Sequence, residues 1–476
     1  MNPQVQPVTK TEIFPKVYTK TNSPIFHEHL SKTEPFQNEM SKFVYYRTYS
    51  RWDDGKGRRE TWDETVQRCV DYLKKVSKSK LKKSDYELIH KYILEMKVMP
   101  SMRLLWTAGK PAQLNNVAIY NCSTVPIDSL SSFAEVYFLL MSGTGVGIDV
   151  SKKYVEKIPK VKKLNGEKQK IVFDDSKEGW AVGTMEVCQA MWEGCDVEWD
   201  LSKLRPQGAR LKTFGGRSSG PGPLDETLHF IKHMGEAHRD RKLSSINAFD
   251  IVTKIANSVV VGGVRRSSII TLSDLHDNGM RDAKQGQFWM TNAHRAMSNN
   301  SAIYDSKPNS IEFMKEWLAL AESGTGERGI FNRYSINSLI PKRRRKRQDW
   351  TTNPCGEIIL RPRGFCNLTE VVIRAEDTLE TLMEKIKVAT LIGTIQSTMT
   401  DFALLDDLHE DWKKNAEEER LLGVSMTGQM DNPDVLTPEN LQALRDYSVG
   451  VNVEAAERLK INRSVAITTT KPSGTV

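Results

Sequence analysis

Short apolar runs alternate with long amphipathic segments along most of this chain, and that alternation limits the fold more than any other feature. Ser131–Met141, Ile246–Val261, Ile311–Ser323, Leu379–Ala403 and Pro438–Ile461 repeat their apolar residues at helical spacing, whereas Val117–Val125 and Ile269–Leu272 read as buried strands. Strands and helices in turn predict an α/β barrel. A chain of 476 residues exceeds what one ordinary core supports, so one large barrel with attached segments, or two to three domains, is expected. Thr61–Glu64 (TWDE) forms a capping box before an amphipathic run, which places a helical region over 1–95 and the barrel over 96–476. An insertion at about 151–247, rich in Lys, Gly and Pro, carries its own helices over Glu178–Trp192 and Leu224–Ala237.

The stretch that points to chemistry is Thr351–Asn367, TTNPCGEIILRPRGFCN. If it is extended, Asn353, Cys355 and Glu357 leave one face, because side chains alternate across a strand. A thiol, a neutral amide and an acid/base then stand together. Pro354 and Gly356 argue against a helix interior and suit a tight finger-like loop that pushes the thiol into a cavity.

NPCGE with a second cysteine at this spacing, and Cys122 in YNCST, resembles the large chain of the ribonucleotide reductases. The resemblance implies a ten-stranded α/β barrel with a central finger loop. It makes Cys355 a transient thiyl radical that takes the 3′ hydrogen of a ribonucleotide, Glu357 the base at the 3′ hydroxyl, and Asn353 the holder of the substrate hydroxyls. Cys122 and Cys366 are then the pair that supplies two electrons and becomes a disulfide. Ser101 beside Pro100, Ser123, and Ser473, Gly474 and Thr475 in the closing TTTKPSGTV correspond to substrate-binding positions. Ser, Thr and Gly N–H groups opening a helix are suited to anionic oxygens.

The segment Asp174–Trp180 (DDSKEGW) resembles the element that binds the specificity effector in dimeric reductases. Here it follows the glycine-rich turn Ser142–Gly147 instead of preceding it, which is the mark of the monomeric adenosylcobalamin-dependent ribonucleoside-triphosphate reductases. Effector contacts are expected from Asp175, Ser176, Lys212, Arg265 and Arg266. The resemblance implies adenosylcobalamin as cofactor, ribonucleoside triphosphates as substrates, deoxynucleotides as effectors, and thioredoxin or a similar dithiol as reductant. No residue is a recognisable corrin or metal ligand, and Asp274–Gly279, which fits D-x-H-x-x-G, reads as a surface turn. Where the family has G-E-P-G, Arg328 replaces the proline, which predicts a less rigid loop. Two alternatives are a reductase chain that takes its radical from a separate metal-bearing subunit, and an inactive nucleotide-binding fragment.

The net charge of +8 is spread along the chain except at Lys342–Arg347, KRRRKR, which reads as a solvated loop. A mild positive bias suits triphosphate ligands better than nucleic acid, and no partner of that kind is expected. Six cysteines do not make a disulfide framework, and Cys69, Cys188 and Cys195 read as core residues. No apolar run reaches the roughly eighteen residues of a membrane span, and the N-terminus lacks a signal core, so the reading is cytoplasmic with no membrane partner. In the family the barrel continues past the position of Val476, so a complementing C-terminal polypeptide, an intervening sequence and a fragment all stay open.

Overall fold

The computed structural model describes residues 36, 38–210, 217–259 and 268–471. Its largest sheet is five-stranded and ordered Gly329–Phe331, Ser298–Ile303, Ile269–Asp274, Gly145–Asp149, Cys122–Pro126. Every neighbouring pair in it is parallel. Parallel strands need crossovers long enough to return the chain, and helices on the sheet faces bury them from both sides. The Cys122 and Gly145 strands are accordingly buried throughout, and the helix Ser131–Met141 between them is buried over nearly its whole length.

A second, three-stranded sheet is ordered Gly423–Thr427, Leu368–Val372, Val98–Pro100. Its first pair is parallel and its second antiparallel. The chain returns beside the Gly423 strand at its end, where Val424 pairs in parallel with Thr468. The two sheets meet where Ser123 pairs antiparallel with Phe365, so the sense of the strands reverses at that point. An arc of strands thus runs from Gly329–Phe331 to residues 467–469, and the described residues leave it open, short of a closed ten-stranded barrel.

Helix Trp62–Val76 begins at the capping box read from the sequence, with Thr61 and Glu64 each bonded to the other's backbone N–H. It packs with Lys83–Leu94 on a core of Val66, Cys69, Leu73, Ile89 and Ile93, continuous with that of the large sheet. In the insertion, strands Lys168–Val172 and Asp196–Asp200 pair in parallel around helix Lys177–Glu193.

Several expectations are revised. Residues 117–125 are not one strand: the Asn115 side chain accepts from Val117 N at 3.0 Å and starts a 3-10 turn over Asn116–Ile119, so extension begins only at Cys122. The helix expected to reach Ala403 ends at Gln396, and the one expected to reach Ile461 ends at Leu459, where Lys460 turns left-handed. The basic run is not simply solvated. Arg344 is buried, donates to both carboxylate oxygens of Glu419 at 2.7 and 2.9 Å, and lies 4.5 Å from the centre of the Trp350 ring. Arg328 does not loosen its loop either: its buried guanidinium donates to Glu316 at 3.0 Å, Ser273 Oγ at 3.2 Å and Asp274 O at 2.9 Å.

Candidate active site

Thr351–Thr352 and Ile359–Leu360 form a short antiparallel ladder, and the residues between them make a turn. Gly356 N donates to Asn353 O at 3.0 Å, and Gly356 itself takes φ +83°, a conformation a Cβ resists. The segment is therefore a finger, and the extended arrangement that would set three side chains on one face is not formed. Cys355 stands exposed at the tip, while Asn353 is fully buried at the base. Asn353 uses its whole amide there. Its Oδ1 accepts from Ile358 N at 3.0 Å, and its Nδ2 donates to Glu357 Oε2 at 2.7 Å and to Cys122 Sγ at 3.5 Å. One side chain thereby joins the carboxylate to the first cysteine of the pair.

The second cysteine is placed by backbone pairing. Thr124 N donates to Gly364 O at 3.1 Å and Cys366 N to Cys122 O at 2.9 Å, so Cys122 lies directly opposite Cys366. Opposed residues in such a pair have Cα atoms about 5.5 Å apart, within the span a disulfide can bridge. Both are thiols, with no disulfide between them, and are buried among Ile358, Leu360 and Leu368. Burial pushes the Cys366 thiol well above the ordinary thiol range, and hydrogen bonding and charge from Cys122 push it further. An isolated pair of this kind stays protonated and reduced until something withdraws electrons from it.

The glycine-rich turn explains how the finger reaches the cysteine strand. A Cβ on Gly147 would stand 1.9 Å from Thr352 O, so only glycine lets the finger's first strand lie against the Gly145 strand. At the turn's other end the buried Arg103 donates to Ser142 O. Ser101 caps the helix Met102–Thr107 by accepting from Leu104 N at 3.1 Å, and Ser123 Oγ donates to Gly145 O at 3.5 Å. Both hydroxyls are thus spent inside the protein.

Beside the finger lies a cavity of about 390 Å³ whose lining includes Glu357, Cys366, Asn367, Leu421, Thr468 and Thr469. Thr469 Oγ1 donates to Glu357 O at 3.1 Å, and Lys471 Nζ meets Glu370 at 2.9 Å. The end of the described chain is thereby held against the finger. Ser473, Gly474 and Thr475 lie outside the described residues, as do Lys212, Arg265 and Arg266. In the insertion, Arg205 Nε donates to Asp175 Oδ2 at 2.7 Å, and Ser176 caps helix Lys177–Glu193 through Gly179 N at 2.9 Å. Lys177 reaches from that helix to Ser142 Oγ at 3.3 Å, and burial lowers its pKa to about 8. Sequence reasoning passed over this lysine, and also Arg363, Glu135 and Asp128, which cluster behind the cysteine pair. Only the position of Arg363 inside the finger stretch hinted at it. Among the described residues no group of His, Cys, Asp and Glu is arranged to hold a metal ion, and no helix is long and apolar enough to cross a membrane.

The chain is similar to known proteins both in sequence and in fold. Residues 23–110 match the ribonucleotide reductase alpha domain, and residues 152–234 match the insertion domain of B12-dependent ribonucleotide reductase. The adenosylcobalamin-dependent ribonucleoside-triphosphate reductase of Euglena gracilis is 29% identical over 95% of this chain, which spans 64% of that relative. The enzyme of the same name from Lactobacillus gasseri is 27% identical over 93% of this chain, which spans 72% of it. A crystal structure of a B12-dependent (class II) ribonucleotide reductase superposes with a TM-score of 0.77 at 24% identity, covering 91% of this chain and 72% of the other. The chain is thus similar to the B12-dependent ribonucleotide reductases in two stretches of sequence, and it shares the fold of one of them.

Proposed function

We propose that this chain reduces ribonucleoside triphosphates to 2′-deoxyribonucleoside triphosphates by radical chemistry at Cys355, with Cys122 and Cys366 as the electron source. The observation that carries the reading is the stack of functional groups at the finger: an exposed thiol at the tip, a carboxylate bonded to a buried amide, and two opposed thiols below. Adenosylcobalamin, when bound, supplies the radical that converts the Cys355 thiol to a thiyl. The finger suits approach by a large group, since Cys355 is exposed and a Cβ on Gly356 would meet nothing within 4 Å.

The chain's own residues then divide the work. Cys355 takes the 3′ hydrogen and later returns it. Glu357 accepts the 3′ hydroxyl proton, and Asn353 fixes that carboxylate's direction through its 2.7 Å bond. The 2′ hydroxyl leaves as water, the cysteine pair supplies two electrons and two protons, and the product of that step is a Cys122–Cys366 disulfide. A dithiol protein such as thioredoxin restores the pair, which fits a cytoplasmic setting where thiols are kept reduced. Deoxynucleotide effectors are assigned to the insertion around Asp175 and Ser176, with Lys212, Arg265 and Arg266 as further contacts. Substrate phosphates are assigned to Ser473, Gly474 and Thr475, with Ser101 and Ser123 supporting the substrate site through the strand and helix they brace. The match to a B12-dependent insertion domain favours adenosylcobalamin over a separate metal-bearing subunit.

The test compares Cys355→Ser with Cys122→Ser and Cys366→Ser in the complete enzyme. Cys355→Ser should abolish both hydrogen exchange with the cofactor and product formation while nucleotide binding persists. The other two should keep exchange and lose turnover. Parent-rate turnover by any of the three would remove the assignment.

A further inference from the structure

The stretch RPRGFCN carries an arginine that the chemistry above does not use. Arg363 has φ +58°, in the left-handed region, beside Gly364. A residue with a Cβ is strained there and glycine is not, so its side chain has to justify the position. The guanidinium is 3% exposed, and its Nε donates to both carboxylate oxygens of Glu135 at 3.1 Å. Its Nη2 donates to Asp128 Oδ1 at 2.9 Å. Glu135 is fully buried on the helix Ser131–Met141, and Asp128 lies in the connection that leads there from the Cys122 strand.

The backbone of the same residue completes a loop of contacts. Arg363 N donates to Thr124 O at 2.9 Å, and Thr124 Oγ1 donates to Arg361 O at 2.6 Å. From the other side Asn415 Nδ2 donates to Pro362 O at 2.8 Å. One end of the ladder that sets Cys122 opposite Cys366 is therefore tied, through Arg363, to the helix that the Cys122 strand itself feeds. The tie has a reason. The ladder between residues 122–124 and 363–366 is short, and a slip of one residue would turn one thiol to the opposite face.

We infer that Arg363 is a positioning residue for the cysteine pair: its fork on Glu135 and Asp128 fixes the register in which Cys122 and Cys366 close to a disulfide. The inference rests on the reading of those two cysteines as the redox pair. Closure removes two electrons and two protons from the thiols. With oxidised glutathione as partner, those reduce its disulfide to two glutathione thiols.

The experiment equilibrates the full chain with reduced and oxidised glutathione at pH 8, traps free thiols and measures the Cys122–Cys366 disulfide by peptide mapping. Arg363→Gly suits the backbone and removes the fork. Arg363→Met with Glu135→Leu replaces the arginine and the fully buried glutamate by apolar groups, so that no unpaired carboxylate is left on the helix, while Asp128 keeps the Ser132 hydroxyl as a donor at 3.2 Å. Arg363→Lys keeps the charge without the fork. The equilibrium constant for closure should fall at least tenfold in the first two, about 30 mV per tenfold, with the lysine variant in between. Parent-like constants in folded Arg363→Gly and in the double variant would overturn the inference. A parent chain that forms no Cys122–Cys366 disulfide in any buffer would instead overturn the redox-pair reading, and this inference with it.

Discussion

Gly147→Ala is the most informative single substitution in the fold. The added methyl would stand 1.9 Å from Thr352 O and 3.0 Å from Thr352 C, both backbone atoms that cannot rotate away. Ordinary contact begins at 3.4 Å, so the strand Thr351–Thr352 would have to retreat by about 1.5 Å, and misplacement of about 1 Å is enough to cost on the order of a hundredfold in rate. The finger hangs from that strand, and Asn353, the next residue, links Glu357 to Cys122. Overpacking of this kind costs roughly 1–3 kcal/mol of stability, small enough for the variant to fold. The expectation is a lower urea midpoint with an unchanged slope, together with a loss of about a hundredfold or more in deoxynucleotide formation by the complete enzyme. Nucleotide binding at the insertion should be unaffected. If Gly147→Ala turned over within a factor of three or so of the parent, the finger would not depend on this close approach and the geometry argued from it would be wrong.

Two other predictions use the cysteines and the buried carboxylate. Alkylation of the native chain at neutral pH should modify Cys355 first, since it is exposed while Cys69, Cys122, Cys188, Cys195 and Cys366 are buried; early modification of Cys366 would contradict the packing. Burial raises the Glu135 pKa to about 7 although Arg363 pulls it down, so in the unfolded chain this group ionises earlier than in the folded one. Its contribution is fully present below the unfolded value near 4.5 and is lost as pH rises through 7, by at most about 3 kcal/mol. Urea unfolding of parent and Glu135→Gln at pH 5 and pH 8 should show the parent losing ground to the variant as pH rises. A difference that does not change with pH would refute that.

What the sequence disclosed and what it withheld divide along contact range. The helix Ser131–Met141 was legible because its apolar run is local, and the helix Trp62–Val76 because Thr61 and Glu64 are three residues apart. The finger was half legible. Pro354 and Gly356 signalled a turn, but the alternation rule set Asn353, Cys355 and Glu357 on one face, and the left-handed Gly356 overrides it. Contacts between distant parts of the chain left no local trace. Arg363 meets a carboxylate 228 positions away, Asn353 a thiol 231 positions away, and Arg344 a glutamate 75 positions away. Arg344 shows the cost of local reading: inside a basic run it resembles a solvated charge, while Glu419 and the Trp350 ring hold it in the interior. The cysteine pair was assigned by resemblance, and only the antiparallel pairing of Ser123 with Phe365 gives it a physical basis.

Whether the thiol pair beneath the finger supplies the electrons is decided by a single turnover. The complete enzyme, prereduced and freed of external dithiol, is mixed with adenosylcobalamin and a ribonucleoside triphosphate, and product is counted against thiols. About one deoxynucleotide per chain is expected, with loss of the two thiols of Cys122 and Cys366 as one disulfide and Cys355 still a thiol at the end. Product formed while Cys122 and Cys366 remain thiols would contradict that expectation.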